Sequence, residues 1–512
     1  MTNPLYDALF ASLRGQDRPL IILPDGGTIA ASEFHAMIAR SANALHAMGL
    51  EPGDRVAVQA TKSPEMLALY AAALSAGIVF LPLNTAYTPE ELAYFIKDCT
   101  PSLLLVDHDR APRLQELAAA LGTRLETLAS NGSFDRIAAD QADVFTAARR
   151  GPDDLAALLY TSGTTGRSKG AMLSHDNLLS NARALAEAWR FTSADVLLHA
   201  LPIFHAHGLF VASNTVFLTS GSMIFQPRFD VDDVIAALPK ATTMMGVPTF
   251  YTRLLHDPRL TRDLVAHMRL FISGSAPLLA ETHQQWSART GHAILERYGM
   301  TETTMITSNP YDGERRPGTV GRPLRDIQIR IADQQTAAAL PQGDIGMIEV
   351  KGPNVFKGYW QMPEKTAEEF RADGYFITGD LGRLDSDGYL QIVGREKDLV
   401  ISGGYNVYPK EVESVLDDMP GVLESAVIGV PHPDFGEAVL AILVPDADGP
   451  DIQRIKDALA EKLARYKQPK SFILMPELPR NTMGKVQKAA LRQQFATHFA
   501  LTGASSGTHT TA

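Results

Sequence analysis

The sequence has 512 residues, too many for one compact core, so two or more domains are expected. Its composition, 45% hydrophobic and 21% charged, is that of a globular chain. The net charge of −11 argues against nucleic acid or an anionic membrane as partner, while nucleotides need only local positive groups.

A single cysteine, Cys99, excludes a disulfide within the chain and points to a reducing, cytoplasmic setting. Residues Met1–Gly15 carry Asp7 and lack a basic start followed by a long apolar core, so no secretory signal is expected. Met66–Leu83 runs without a charge at near-spanning length, but Gly77 and Pro82 break it. It reads instead as a buried helix, Pro64–Ser75, and a buried strand, Ile78–Leu83.

Further helices are predicted at Ala31–Met48 and Pro89–Asp98, and strands at Arg55–Gln59 and Leu103–Val106. Alternation of this kind predicts an α/β fold with parallel sheets and covering helices. Residues 107–150 are polar and Ala-rich and suggest no chemistry.

The most informative stretch is Tyr160-Thr161-Ser162-Gly163-Thr164-Thr165-Gly166-Arg167-Ser168-Lys169-Gly170. A strand, Leu155–Tyr160, leads into it, and a helix starting near Ser174 or Asp176 and ending near Trp189 follows. Glycines let backbone N–H groups turn toward an anion, four hydroxyls add donors and Lys169 adds a charge. The spacing is not that of a Walker A loop. An anion grip and an ordinary flexible loop both fit these residues.

Downstream, Pro202-Ile203-Phe204-His205-Ala206-His207-Gly208 places two histidines two apart, without the further Cys/His cluster that a metal site needs. A strand ends at Gly246-Val247-Pro248, and Thr249 reads as the N-cap of a helix carrying Arg253. Next come a strand with a Gly/Ser turn (Leu270–Leu278), a helix closing at Gly291, and a strand Ala293–Tyr298 leading into Gly299-Met300-Thr301-Glu302-Thr303. Asp380 ends Phe376-Ile377-Thr378-Gly379-Asp380, and Arg395 follows Gly394. A smaller unit then shows a helix Pro409–Asp417, strands Ser425–Val430, Val439–Val444 and Ser471–Met475, and an amphipathic helix Ile452–Tyr466. The tail 501–512 reads as disordered.

Together these motifs resemble the adenylate-forming superfamily of acyl-CoA synthetases, peptide-synthetase adenylation domains and luciferases. The resemblance runs from about residue 15 to residue 495. It departs at Ser168, where the family usually has Pro. It implies a large AMP-binding domain, 1–396, and a small mobile α+β domain, 397–500, hinged at Lys397. It implies that Thr161, Ser162, Gly163, Thr164, Thr165, Gly166 and Lys169 hold the β- and γ-phosphates of ATP. Gly274, Ser275 and Ala276 would lie along the adenine, with Glu296, Arg297, Tyr298, Gly299 and Met300 in the same nucleotide site and Tyr298 stacked on the base. Thr301 would contact phosphate, Glu302 would help hold Mg²⁺, and Asp380 and Arg395 would sit at the ribose. Pro479, four residues, Gly484 and then Lys485 is the family's spacing for its catalytic lysine.

The implied reaction is acyl-adenylate formation from a carboxylic acid and ATP, followed by transfer to coenzyme A. PIFHAHGL, GVPTFYTR, SGSAPL and ERYGMTET are most similar to the malonate-activating branch, with methylmalonate as a second acid. A second carboxylate needs a cation when buried, and Arg253 is the residue expected to supply it, with His207, Ser275, Gly299 and Met300 shaping the pocket. The competing readings are a medium-chain or aromatic acyl-CoA ligase and a non-catalytic nucleotide-binding module. Acylating Lys485 would remove its charge, which makes a lysine acyltransferase and a deacylase candidate partners.

Overall fold

The computed structural model describes residues 2–129, 132–161, 168–402, 405–432, 434–481 and 484–499. The expectations for Ser162–Gly166 and for the tail 501–512 lie outside the described residues.

The fold is α/β, and two large sheets form its first part. One has six strands in the order Arg124–Thr127, Leu103–Val106, Arg55–Gln59, Val79–Pro82, Leu155–Thr161 and Lys169–Ser174. All its neighbours are parallel except the last two, which form an antiparallel pair. The other has nine strands, six of them a parallel centre that includes Val196–His199, Thr243–Gly246, Leu270–Ser273 and Leu295–Tyr298. Parallel strands buried on both faces read as continuous apolar runs, which is why Leu103–Val106 was visible in the sequence.

Helices fill the faces. Pro64–Ala76 is buried along nearly its whole length and stops at Gly77, whose φ of 74° only glycine adopts without cost. This is the charge-free stretch that resembled a membrane span. No helix among the described residues is long and apolar enough to cross a membrane. The segment 107–150, unread in the sequence, holds helices Ala111–Ala120 and Ser133–Ala139 and the strand Arg124–Thr127.

A four-stranded antiparallel sheet, Gln328–Ala332, Gly346–Lys351, Phe376–Leu384 and Leu390–Arg395, follows. Then a single 3₁₀ turn, Glu396–Asp398, leads into a small five-stranded sheet with helix Pro409–Asp417 against it. The small sheet has its own apolar cores on both faces, built from residues 400–499 alone. Its amphipathic helix is shorter than predicted, Ile452–Lys462, with a 3₁₀ turn at Arg465–Lys467.

Candidate active site

A cavity of about 1790 Å³ opens between the large and small parts of the chain. Parallel strands deliver residues to it at their C-terminal ends, where α/β sheets place their ligand crevices. Leu155–Thr161 brings Thr161, and its antiparallel partner begins at Lys169, so the cavity receives both residues from one pair of strands. The sequence pattern missed the strand Lys169–Ser174 and went straight to the helix. That helix, His175–Ala188, is capped by Ser174, which accepts from Asn177 N while Asn177 Oδ1 accepts from Ser174 N.

Leu270–Ser273 delivers Ser275 and Ala276 to the cavity, while Gly274 packs against Arg297 and does not line it. Ser275 holds φ 70°, a left-handed conformation that costs a residue with a Cβ of order 1 kcal/mol. There its Oγ shares a 3.1 Å hydrogen bond with Nδ1 of His207, which starts a buried π-helix, His207–Ser213. Burial, with Arg297 and His205 nearby, pushes the His207 imidazole far down. Burial and the charges of Lys485 and Arg297 push His205 down to about 3. Both rings are therefore neutral at pH 7.

Leu295–Tyr298 brings Glu296, Arg297 and Tyr298. The Tyr298 hydroxyl donates to Asp380 Oδ2 at 2.6 Å, and Arg395 Nε lies 2.9 Å from Asp380 Oδ1. Burial lifts the Glu296 carboxyl to about 8, so it is mostly protonated at pH 7. Arg297 is buried, and among the described residues its Nε and Nη2 have no hydrogen-bond partner. Among the described residues no carboxylate pairs with it. Burial pushes its guanidinium down to about 9, which leaves it charged at neutral pH.

Gly299, Met300, Thr301 and Glu302 continue round the wall. A Cβ on Gly299 would lie 1.8 Å from Thr304 O, so this turn admits only glycine. Burial raises the Glu302 carboxyl, against the opposing pull of the Tyr359 hydroxyl, which lies 3.0 Å from its Oε1. Its hard oxygens and lack of a salt bridge among the described residues fit a Mg²⁺ ligand that shares the ion with substrate phosphates.

The small part contributes Lys485. Next to it, Gly484 comes so near the large part that an added Cβ would be 3.5 Å from Thr249. Enclosure in the cavity, then the charge of Arg395, pushes the Lys485 ammonium down to about 8, with Asp380 opposing. Lys397 also lines the cavity, in the 3₁₀ turn that joins the two parts.

Two expectations need correction. Arg253 does not join these residues. Its helix, Pro248–Leu255, turns Tyr251 and Leu254 inward and leaves Arg253 exposed, outside the cavity lining. Thr249 is not the N-cap: the helix starts at Pro248 after Val247, which puts Thr249 in the first turn, facing the cavity. The sequence reading also missed Tyr359 and Glu369, which line the wall beside Lys169. Charge could have pointed to Glu369, but its partner is 200 residues away.

The site thus gathers Arg297 and Lys485, cations without a carboxylate salt bridge among the described residues, beside a tyrosine–aspartate–arginine cluster and Lys169. Such a site suits anions rather than metal clusters, and the described residues hold no group of three or more metal-ligating side chains. Comparison with known proteins agrees. The AMP-binding enzyme model matches residues 11–360, and the AMP-binding enzyme C-terminal domain model matches 411–485. A malonate–CoA ligase from Arabidopsis thaliana is 37% identical over 477 residues, 86% of this chain and 78% of that protein. A feruloyl-CoA synthase from Amycolatopsis sp is 37% identical over 478 residues, 92% of this chain and 95% of that protein. The crystal structure of ATP-bound MatB from Rhodopseudomonas palustris is 57% identical, with a TM-score of 0.95, over 98% of this chain and 100% of that one. With both its large and its small part matched, the chain belongs to the AMP-binding enzyme family.

Proposed function

We propose that the chain is an AMP-forming malonate–CoA ligase. One observation carries the choice of acid: the buried guanidinium of Arg297 in the cavity wall, without a carboxylate partner among the described residues. A buried charge without a partner costs several kcal/mol, so the site is built for a ligand that brings an anion to it. A dicarboxylate supplies one carboxylate to react and a second to meet Arg297. Malonate is the small acid of that kind, and methylmalonate adds only a methyl. The Arabidopsis relative bears the name of that activity. A ferulate-like acid has one carboxylate and would leave Arg297 without a partner.

In the first half-reaction the acid's carboxylate oxygen attacks the α-phosphorus of ATP, and the bond to the pyrophosphate leaving group breaks. Two anions must approach, so positive charge has to be in place beforehand. Lys485 serves this role where the two parts of the chain meet. His207 and Ser275 shape the pocket, and their mutual hydrogen bond fixes the imidazole. Tyr298 and the Asp380–Arg395 pair take the adenosine, Asp380 accepting from the ribose hydroxyls. Lys169 and Thr161 flank the polyphosphate grip. Glu302 would hold Mg²⁺, which when bound shields phosphate charge. In the second half-reaction the thiol sulfur of coenzyme A attacks the acyl carbon and AMP leaves.

The same reading makes 1–396 the large domain and 397–500 the small one, with Lys397 as hinge. Rotation there would withdraw Lys485 after adenylation. The lone buried cysteine supports a reducing, cytoplasmic setting. A lysine acyltransferase acting on Lys485 would need the cleft to open first. The test is to supply ATP and coenzyme A with malonate, methylmalonate, acetate, octanoate or 4-coumarate and read AMP and acyl-CoA. Malonyl-CoA as the dominant product is expected; an apolar acid as best substrate would overturn the assignment of Arg297.

A further inference from the structure

Beside the strand pair that brings Thr161 and Lys169, the cavity wall carries a network that the sequence motifs do not account for. Lys169 Nζ lies 2.8 Å from Glu369 Oε1 and 4.0 Å from the centre of the Tyr359 ring. The Tyr359 hydroxyl lies 2.6 Å from Glu369 Oε2 and 3.0 Å from Glu302 Oε1, so one proton serves two carboxylates. The side chains of Lys169 and Glu369 are 10% and 20% exposed, which shields their pairing from solvent. Although burial pushes the other way, hydrogen bonds from Lys169 and Tyr359 hold the Glu369 carboxyl below its ordinary range. A second cation waits within reach, with Lys365 Nζ 3.3 Å from Glu369 Oε1.

This arrangement matters because Lys169 has two anionic claimants. In this structure it pairs with Glu369. Under the reading above, the β- and γ-phosphates of ATP compete for it. If Lys169 turned to phosphate, Glu369 would keep Tyr359 and Lys365, so no bare carboxylate would be left in the wall. Once pyrophosphate departs, Glu369 can recapture the amine while AMP stays bound.

We infer that Glu369 is a positioning residue that competes with polyphosphate for the Lys169 ammonium, so that Glu369 sets the affinity for ATP relative to AMP. The inference rests on Lys169 serving the β- and γ-phosphates, and its test separates the two ideas. Dissociation constants for ATP and AMP are measured with Mg²⁺, without acid or coenzyme A. The proteins are the native enzyme, Glu369→Gln, Lys169→Met, the double variant, and Glu368→Gln. Glu368 faces the same cavity but pairs with Lys365, so it controls for a general loss of negative charge.

Glu369→Gln is expected to bind ATP about three- to tenfold more tightly, the range of a part-buried ion pair released from competition, with AMP affinity unchanged. The gain should vanish in the double variant and be absent in Glu368→Gln. ATP affinity no tighter in Glu369→Gln overturns the inference. So does an equal gain for AMP, a gain that survives without Lys169, or the same gain in Glu368→Gln. If Lys169→Met binds ATP as well as the native enzyme, the phosphate role of Lys169 falls, and the inference falls with it.

Discussion

Gly274 leaves open the space that the guanidinium of Arg297 fills. A Cβ at position 274 would lie 2.3 Å from Arg297 Cζ and 2.4 Å from its Nη1. The glycine is therefore a packing requirement of the guanidinium on the neighbouring strand. A guanidinium is the far end of a flexible side chain, so it would move before the backbone did. Gly274→Ala should thus displace Arg297 without unfolding the protein. The expected outcome is a loss of malonate activation of about tenfold or more, with ATP binding and melting temperature little changed. Unchanged kcat/KM for malonate would show that the position of Arg297 is irrelevant to the acid.

A direct test sets Arg297 against Arg253. Truncating one member of a buried charge pair costs about 2–5 kcal/mol, so Arg297→Met should lower kcat/KM for malonate by about two orders of magnitude or more. The same variant replaces a charge with an apolar side chain, and should improve the relative use of acetate or octanoate. Arg253→Ala, on the exposed side of its helix, should remain near native. The reverse result would return the second carboxylate to Arg253.

The difference between these two arginines shows what the sequence could and could not convey. Apolar runs marked the strands Arg55–Gln59 and Leu103–Val106 at their observed bounds, and the helix predicted at Pro89–Asp98 runs to Cys99. The strand Leu295–Tyr298, by contrast, is buried at all four positions, so alternation could not say which side chain faces the cavity. At Arg253 the helical period carried the information, because Tyr251 and Leu254 define the inner face, but the motif outweighed it. The helix Ala111–Ala120 went unread because only Leu114 and Ala118 on it are buried, too few for a periodic stripe. Tyr359 and Glu369 were silent for another reason. They meet Lys169 and Glu302 only through tertiary folding, and no local pattern encodes such a meeting.

Lys485 should give the enzyme its alkaline limit. In the free protein its ammonium is pushed down to about 8, and the protonated form is the one that can bridge two anions. The kcat/KM for malonate reports the free enzyme, so it should fall as pH rises through about 8. Amine-directed labelling followed by mass analysis should show Lys485 becoming reactive over the same interval, with ATP and malonate together protecting it. Lys485→Met should lose adenylate formation by about 10²–10³-fold. It should largely keep thioester formation from a supplied acyl-adenylate, since the lysine is withdrawn for that step. A flat profile from pH 7 to pH 10 would remove Lys485 from the free-enzyme titration.

Glu296 makes a prediction about stability. Its carboxyl is lifted from 4.5 to about 8, chiefly by burial, so the fold favours the neutral form. The sign follows from proton counting. Between the two values the folded state holds a proton that the unfolded state has released, so stability falls as pH rises. The contribution is complete below 4.5 and is lost through about 8. Glu296→Gln keeps the shape and the neutral state at every pH. Relative to native, the variant should gain melting temperature as pH goes from 5 to 9, and it should retain malonate turnover at pH 7. Melting curves that stay parallel across that interval would mean that Glu296 is ionised in the folded protein.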